Sequence, residues 1–219
     1  MRVQTPAWLV GGLALLLSLV GAAGQGLFQN LGFEQPVLPL TPVNFQVPTS
    51  NGMPGWTAYI DGNQVNQVVY NTRPLDAAEV TLQGVDSDSL APIQGKFTVA
   101  LFGASRFAPQ QSAAIGQTGQ VPAGALALIF WGYSTDVSFG GQGLSLVLLG
   151  ATPNYNIYGA DISAFSGQTG ELRFTAQPQS LDIIDNIQFS HSAVPEPSGF
   201  GLSALGVLLL GWRILGRRR

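Results

Sequence analysis

A hydrolase built on carboxylates needs two of them roughly 5 to 10 Å apart across a cleft. Three acidic pairs stand close together in this chain: Asp76 with Glu79, Asp86 with Asp88, and Asp182 with Asp185. Asp86 and Asp88 sit in GVDSDS, a context in which acids form turns or face solvent. Other catalytic chemistry is harder to assemble. The one histidine, His191, lies in a linker and lacks the partner that would make it a general base. No G-x-S-x-G elbow occurs, so a serine triad has no support. Cysteine is absent, which removes disulfides, thiolate catalysis and cysteine-based zinc sites. The expectation is a protein that is not an enzyme.

Binding chemistry has better material. Sugars stack their C–H surfaces on flat aromatic rings while amides and carboxylates hold the hydroxyls. Trp56, Tyr59, Trp131 and Tyr133 are the leading candidates for such a surface, with Tyr155 and Tyr158 behind them. The same residue types also fill β-sandwich cores. Asp185 is the acid that breaks a pattern: in LDIIDNIQFS it shares a parity with Leu181, Ile183, Ile187 and Phe189. That parity turns a carboxylate toward the core, where it must be hydrogen-bonded, paired or metal-bound unless a bulge rotates it outward.

The elements that would carry these residues read as strands. WTAYI, VNQVVY, KFTVALF, ALALIFWGYS, LSLVLLG, ELRFTA and LDIIDNIQFS place apolar residues at alternating or continuous positions, and Gly, Pro, Asn and Asp separate them. Seven or more such strands predict an all-β, antiparallel β-sandwich over residues 25–190. ALALIFWGYS is apolar on both parities, which suits a central strand covered on both sides or one with a functional aromatic face. In ELRFTA, Leu172, Phe174 and Ala176 point inward, leaving Glu171, Arg173 and Thr175 on a wet face. Prolines 36, 39, 42, 48 and 54 forbid a continuous helix there and predict a surface loop or short edge strands. GQTG occurs at 116–119 and again at 167–170, read as reused turn chemistry, and FGGQGLS reads as a loop.

The ends differ from this body. Residues 1–24 carry Arg2, an apolar run from Ala7 to Val20 and small residues before Gln25, the three parts of a secretory signal peptide; an uncleaved anchor is the alternative. Residues 191–197 form a linker containing Pro195-Glu196-Pro197, and residues 198–219 an apolar C-terminal transmembrane segment closed by Arg217, Arg218 and Arg219. Such a cluster resists translocation and stays cytoplasmic. Between the ends, eleven acids face four basic residues, a net charge of −7, which excludes nucleic acid as a partner.

The spacer, Pro-Glu-Pro, apolar helix and terminal arginines resemble the PEP-CTERM sorting signal of exported proteins in Gram-negative-type bacteria. The resemblance implies recognition of Pro195, Glu196 and Pro197 by an exosortase, with Arg217, Arg218 and Arg219 as the membrane stop, and delivery to the cell surface or extracellular matrix. Export machinery and, before processing, the membrane would be the further partners. A permanent single-pass anchor is the alternative. NLGFE, PGW and DNIQFS resemble the frame of galactose-binding-like jelly rolls, in which acids of the first and last strands hold a structural Ca2+; that implies Glu34 and Asp185 here, and otherwise no cofactor. Two functions then lead: a structural or adhesive role in a polysaccharide matrix, and a carbohydrate-binding module using exposed aromatics. A glycoside hydrolase is the third.

Overall fold

The computed structural model describes residues 27–38, 45–74, 76–104, 109–133 and 135–195. They form fourteen strands: β1 Gln46–Pro48, β2 Thr57–Ile60, β3 Asn63–Val65, β4 Gln67–Tyr70, β5 Glu79–Gly84, β6 Phe97–Phe102 and β7 Ala113–Gln120. The second half gives β8 Ala127–Gly132, β9 Asp136–Phe139, β10 Gln142–Gly143, β11 Leu146–Ala151, β12 Asn156–Asp161, β13 Thr169–Ala176 and β14 Leu181–Ser190. The proline-rich stretch yields the edge strand β1 and one helical turn, Thr49–Gly52.

Two sheets result. An eight-stranded sheet runs β1-β4-β5-β6-β14-β8-β12-β11, and a six-stranded sheet runs β10-β9-β13-β7-β2-β3. The expectation of wholly antiparallel pairing is corrected where β4 pairs with β5 in parallel through Val69 with Thr81 and Tyr70 with Leu82, and at a parallel bridge of Leu27 with Gln120. A connection through residues 71–78 carries the chain back to start β5 in the direction of β4.

The sheets meet through alternate residues of each strand. Leu172 and Phe174 of β13 face Leu128 and Phe130 of β8, all fully buried. Phe130 and Phe174 cross edge to face with ring centroids 5.3 Å apart. Each such side chain contributes about 1.5 to 3 kcal/mol by leaving water, so the interface between sheets is the main source of stability. A second, smaller apolar cluster lies on the far side of the eight-stranded sheet: Ala100, Phe102 and Ile183, covered by Leu90 and Ile93 of the β5–β6 connection.

Two readings of glycine-rich sequence change. The first GQTG is strand, not turn: Gly116 to Gly119 lie within β7, paired with β13 throughout and with β2 at Gly116. The second begins as a turn at Gly167 and passes into β13 at Thr169. FGGQGLS is a hairpin, with Gly140 and Gly141 both at positive φ between β9 and β10.

Candidate functional site

On the outer face of the six-stranded sheet three side chains form one cluster. Ala58 and Ile60 of β2 turn inward, which sends Tyr59 outward; Leu172 and Phe174 do the same for Glu171 and Arg173. Tyr59 Oη donates to Glu171 Oε1 at 3.0 Å. Arg173 Nε and Nη2 donate to Glu171 Oε2 and Oε1 at 3.0 and 3.1 Å, a forked pair. The guanidinium carbon stands 4.0 Å from the Tyr59 ring centroid, a cation–π contact. Burial, then the bond to Glu171, pushes the phenol above its usual value, and the bond to Glu171 raises Arg173 as well.

Between them runs β7, and Gly116 lets Glu171 lie flat across it. A Cβ at Gly116 would stand 2.5 Å from Glu171 Oε1. Around the cluster the face is small and polar: Thr57, Ala114, Thr118 and Ser138 share this side. Arg173 has five N–H donors and commits two to Glu171. The remaining donors, the phenol and the carboxylate together can meet adjacent hydroxyls of a ligand lying on the sheet.

The other candidate aromatics go elsewhere. Trp56 is core: it is 4% exposed, tilts against Phe33 and Phe174, and donates Nε1–H to the Asn30 carbonyl at 3.1 Å. Its place in a binding surface is therefore corrected. Trp131 and Tyr133 lie on the opposite outer face, that of the eight-stranded sheet. Trp131 stacks on Tyr155 with centroids 4.9 Å apart and planes 12° from parallel; Tyr133, 39% exposed, donates its hydroxyl to the Asn154 carbonyl. Tyr158 turns inward onto Phe130.

Asp185 is fully buried, but not in the main core. Ile184 occupies that core, whereas Ile183 belongs to the outer cluster. A bulge between Asp185 and Gln188, with Asn186 at φ +48°, then returns Ile187 to the main core. Asp185 Oδ2 accepts from Gln94 N–H at 3.0 Å and Oδ1 from Asn186 N–H at 2.7 Å. Burial pushes its pKa up to about 7, the two N–H bonds oppose this, and the charge of Glu34 adds to it. Glu34 Oε1 accepts from Lys96 and Phe97 N–H at 2.8 and 3.0 Å. Glu34 and Asp185 thus do converge on one segment, residues 94–97. Among the described residues Glu34 Oε2 is the one oxygen of the four without an N–H donor, and no group of three or more His, Cys, Asp or Glu gathers there. Calcium takes six to eight oxygens; Glu34 and Asp185 bring four, three of which accept backbone N–H groups.

Asp182 and Asp185 lie on opposite faces of β14, and Asp86 and Asp88 are exposed. His191 Nδ1 is 2.9 Å from the Gly124 carbonyl oxygen. Pro195 is exposed, while Glu196, Pro197, Arg217, Arg218, Arg219 and residues 1–24 lie outside the described residues. Among the described residues no helix is long and apolar enough to cross a membrane.

No family model matches the chain, and no curated protein matches it. Some solved structures do. TmCBM61, solved with β-1,4-galactotriose, is 17% identical at a TM-score of 0.40, over 77% of this chain and 100% of that one. The enzymatically active domain of tailspike protein 4 from bacteriophage CBA120 is 15% identical at a TM-score of 0.36, over 62% of this chain and 19% of that one. A family 11 carbohydrate-binding module from Clostridium thermocellum, solved with a β-1,3-1,4-mixed-linked tetrasaccharide, is 9% identical at a TM-score of 0.35, over 69% and 96%.

Proposed function

We propose that the domain is a non-catalytic glycan-binding module of an exported protein, and that the ligand lies on the outer face of the six-stranded sheet around Tyr59, Glu171 and Arg173. The supporting observation is the cluster itself: a forked guanidinium–carboxylate pair stacked on a phenol, on a floor of small residues. Vicinal hydroxyls of a sugar both donate and accept, and such a pair offers both functions in one plane. Glu171 offsets the charge of Arg173, and Asp136 adds a negative charge to the same face. With the body at −7, a neutral polysaccharide suits the site better than a polyanion.

Export belongs to the same reading. Residues 1–24 and the Pro195-Glu196-Pro197 signal would deliver the module to the cell surface or a polysaccharide matrix, where glycan binding would serve a structural or adhesive role.

The test is affinity electrophoresis and calorimetry of the full chain, in mild detergent, against galactan, mixed-linked β-glucan and xylan, with alginate as the polyanion. Saturable binding to a neutral polymer, lost in Tyr59→Ala and Glu171→Gln and kept in the core variant Trp56→Phe, is the expected result. A second surface has its own observation, the parallel Trp131–Tyr155 stack. Loss of binding in Trp131→Ala with retention in Tyr59→Ala would move the site to that face; no binding by the wild type would remove the reading.

A further inference from the structure

The outer face of the eight-stranded sheet has two apolar halves. Over β6 and β14 the β5–β6 connection roofs it, with Leu90 and Ile93 on Ala100, Phe102 and Ile183. Over β8, β12 and β11 the register sets Ile129, Gly159 and Val147 in one row and Trp131 and Ile157 in the next. Tyr155 stacks on Trp131. Tyr133 and Leu149 are 39% and 36% exposed, and Leu148 at the sheet edge 57%. The three strands hold one charged residue, Asp161 at the end of β12, which accepts Ser163 N–H at 2.8 Å. The corresponding face of the other sheet carries Thr57, Thr118, Ser138 and an ion pair instead. A broad apolar face on a body of charge −7 marks a contact surface.

The course of the chain names what covers it. After β14 the backbone passes over this half-face, where a Cβ at Gly159 would stand 2.8 Å from Leu149 Cδ1 and 3.0 Å from Val194 Cγ2. Val194 thus lies on the apolar rows, and Ser198, where the apolar run of 198–216 begins, follows four residues later. Four residues span at most about 14 Å. A bilayer that takes this run therefore comes within that distance of the point where Val194 touches the sheet. A second copy is the poorer occupant, because β11 is the edge strand and a bulge between Leu148 and Gly150 breaks the ladder that strand addition would extend.

We propose that the outer face of β8, β12 and β11 docks on the lipid surface while the tail is held in the membrane, an inference that rests on reading residues 198–219 as a membrane segment. Trp131, Tyr133 and Tyr155 are the residue types that settle at a membrane–water boundary, apolar in body and polar at the tip. Leu148 and Leu149 reach between them into the acyl boundary. The near absence of charge lets the face lose water at little electrostatic cost. Docked in this way, the domain turns the Tyr59 cluster away from the bilayer.

The test uses the full chain in vesicles of phosphatidylethanolamine and phosphatidylglycerol. Because the chain has no cysteine, Leu149→Cys and Tyr133→Cys each take one environment-sensitive fluorophore on the docking face, and Gln64→Cys takes it on the exposed strand β3 of the other sheet. Two positions on the face guard against one label disturbing the fold. Flotation reports whether the chain is held, and quenching by nitroxide-bearing lipid reports contact. The chain should float, with the labels at 149 and 133 shifted to the blue and quenched several-fold more than the label at 64. A chain that does not float overturns the membrane reading of the tail and the docking with it. A chain that floats with all three labels equally unquenched overturns the docking alone. A blue shift at 149 and 133 without lipid quenching shows protein on the face, a second copy or the tail itself, and also overturns it.

Discussion

Gly116→Ala separates binding from stability at the Tyr59 cluster. The added methyl would meet Glu171 Oε1 at 2.5 Å, Cδ at 3.0 Å and Cγ at 3.3 Å, all atoms of one flexible side chain and none of backbone. To reach an ordinary 3.4 Å contact, the carboxylate must move by about 0.9 Å. Its bond to Tyr59 is 3.0 Å long and does not survive a shift of that size away from the ring. The fork with Arg173 opens with it. The half-exposed bonds lost were each worth about 0.5 to 1.5 kcal/mol at most, and the ion pair about 0 to 1. Alanine returns about 0.4 to 1 kcal/mol by restricting the unfolded chain. Net stability should therefore change by about 1 kcal/mol or less, seen as a small shift in urea midpoint with unchanged slope. Glycan affinity should fall about tenfold or more, equivalent to about 1.4 kcal/mol. Binding as tight as wild type would refute the placement of the ligand on this cluster. A loss of several kcal/mol in stability would refute the claim that only a surface side chain moves.

Two further outcomes are expected. In EDTA the domain should be more stable at pH 5 than at pH 8. Burial raises Asp182 and Asp185 from 3.8 to about 7, so the folded state holds protons that the unfolded state releases, and stability falls as pH rises through that window. At about 1.4 kcal/mol per pH unit the displacement sets an upper bound of about 4 kcal/mol for each group. Urea midpoints equal at the two pH values, or higher at pH 8, would contradict it, and Asp185→Asn should flatten the profile. For export, intact mass of the mature protein should lack residues 1–24 and, where an exosortase is present, the apolar tail; the same mass with and without that enzyme would remove proteolytic sorting.

The wet face of ELRFTA was legible because a clean period of two survives in β13, and it delivered two of the three cluster residues. The strand beside it was not. β7 reads Ala-Ala-Ile-Gly-Gln-Thr-Gly-Gln, a composition of turns, yet it pairs with β13 along its whole length and with β2 from Ala113 to Gly116. Its glycines are there for neighbours: Gly116 lies under Glu171, and a Cβ at Gly119 would stand 2.9 Å from the Phe28 ring. Tertiary contact set the residue type, so local propensity pointed the wrong way. Trp56 differs, because in WTAYI it shares the parity of Ala58 and Ile60, and all three turn inward, so the alternation of that strand already marked its side. For Asp185 the parity was real but the face was not: period two marks that residues share a side, and only the covering segment at Leu90 and Ile93 makes the outer side of β14 as dry as the inner.

The exit of the chain bears on which face can work. After β14 the backbone turns at His191 and runs over the eight-stranded sheet, where a Cβ at Gly159 would meet Val194 Cγ2 at 3.0 Å beside Leu149. Gly159 pairs with Ile129 and Val147 on the outer side of that sheet, so Val194 lies against the face that also carries Trp131 and Tyr155. The Tyr59 cluster lies on the opposite face of a two-layer sandwich. A chain held by whatever follows Pro195 would then present the six-stranded face away from its attachment, while the Trp131 face would share its space with the tether. A large polysaccharide needs an unobstructed sheet, and this geometry is the independent reason for preferring Tyr59, Glu171 and Arg173 over the larger aromatic stack.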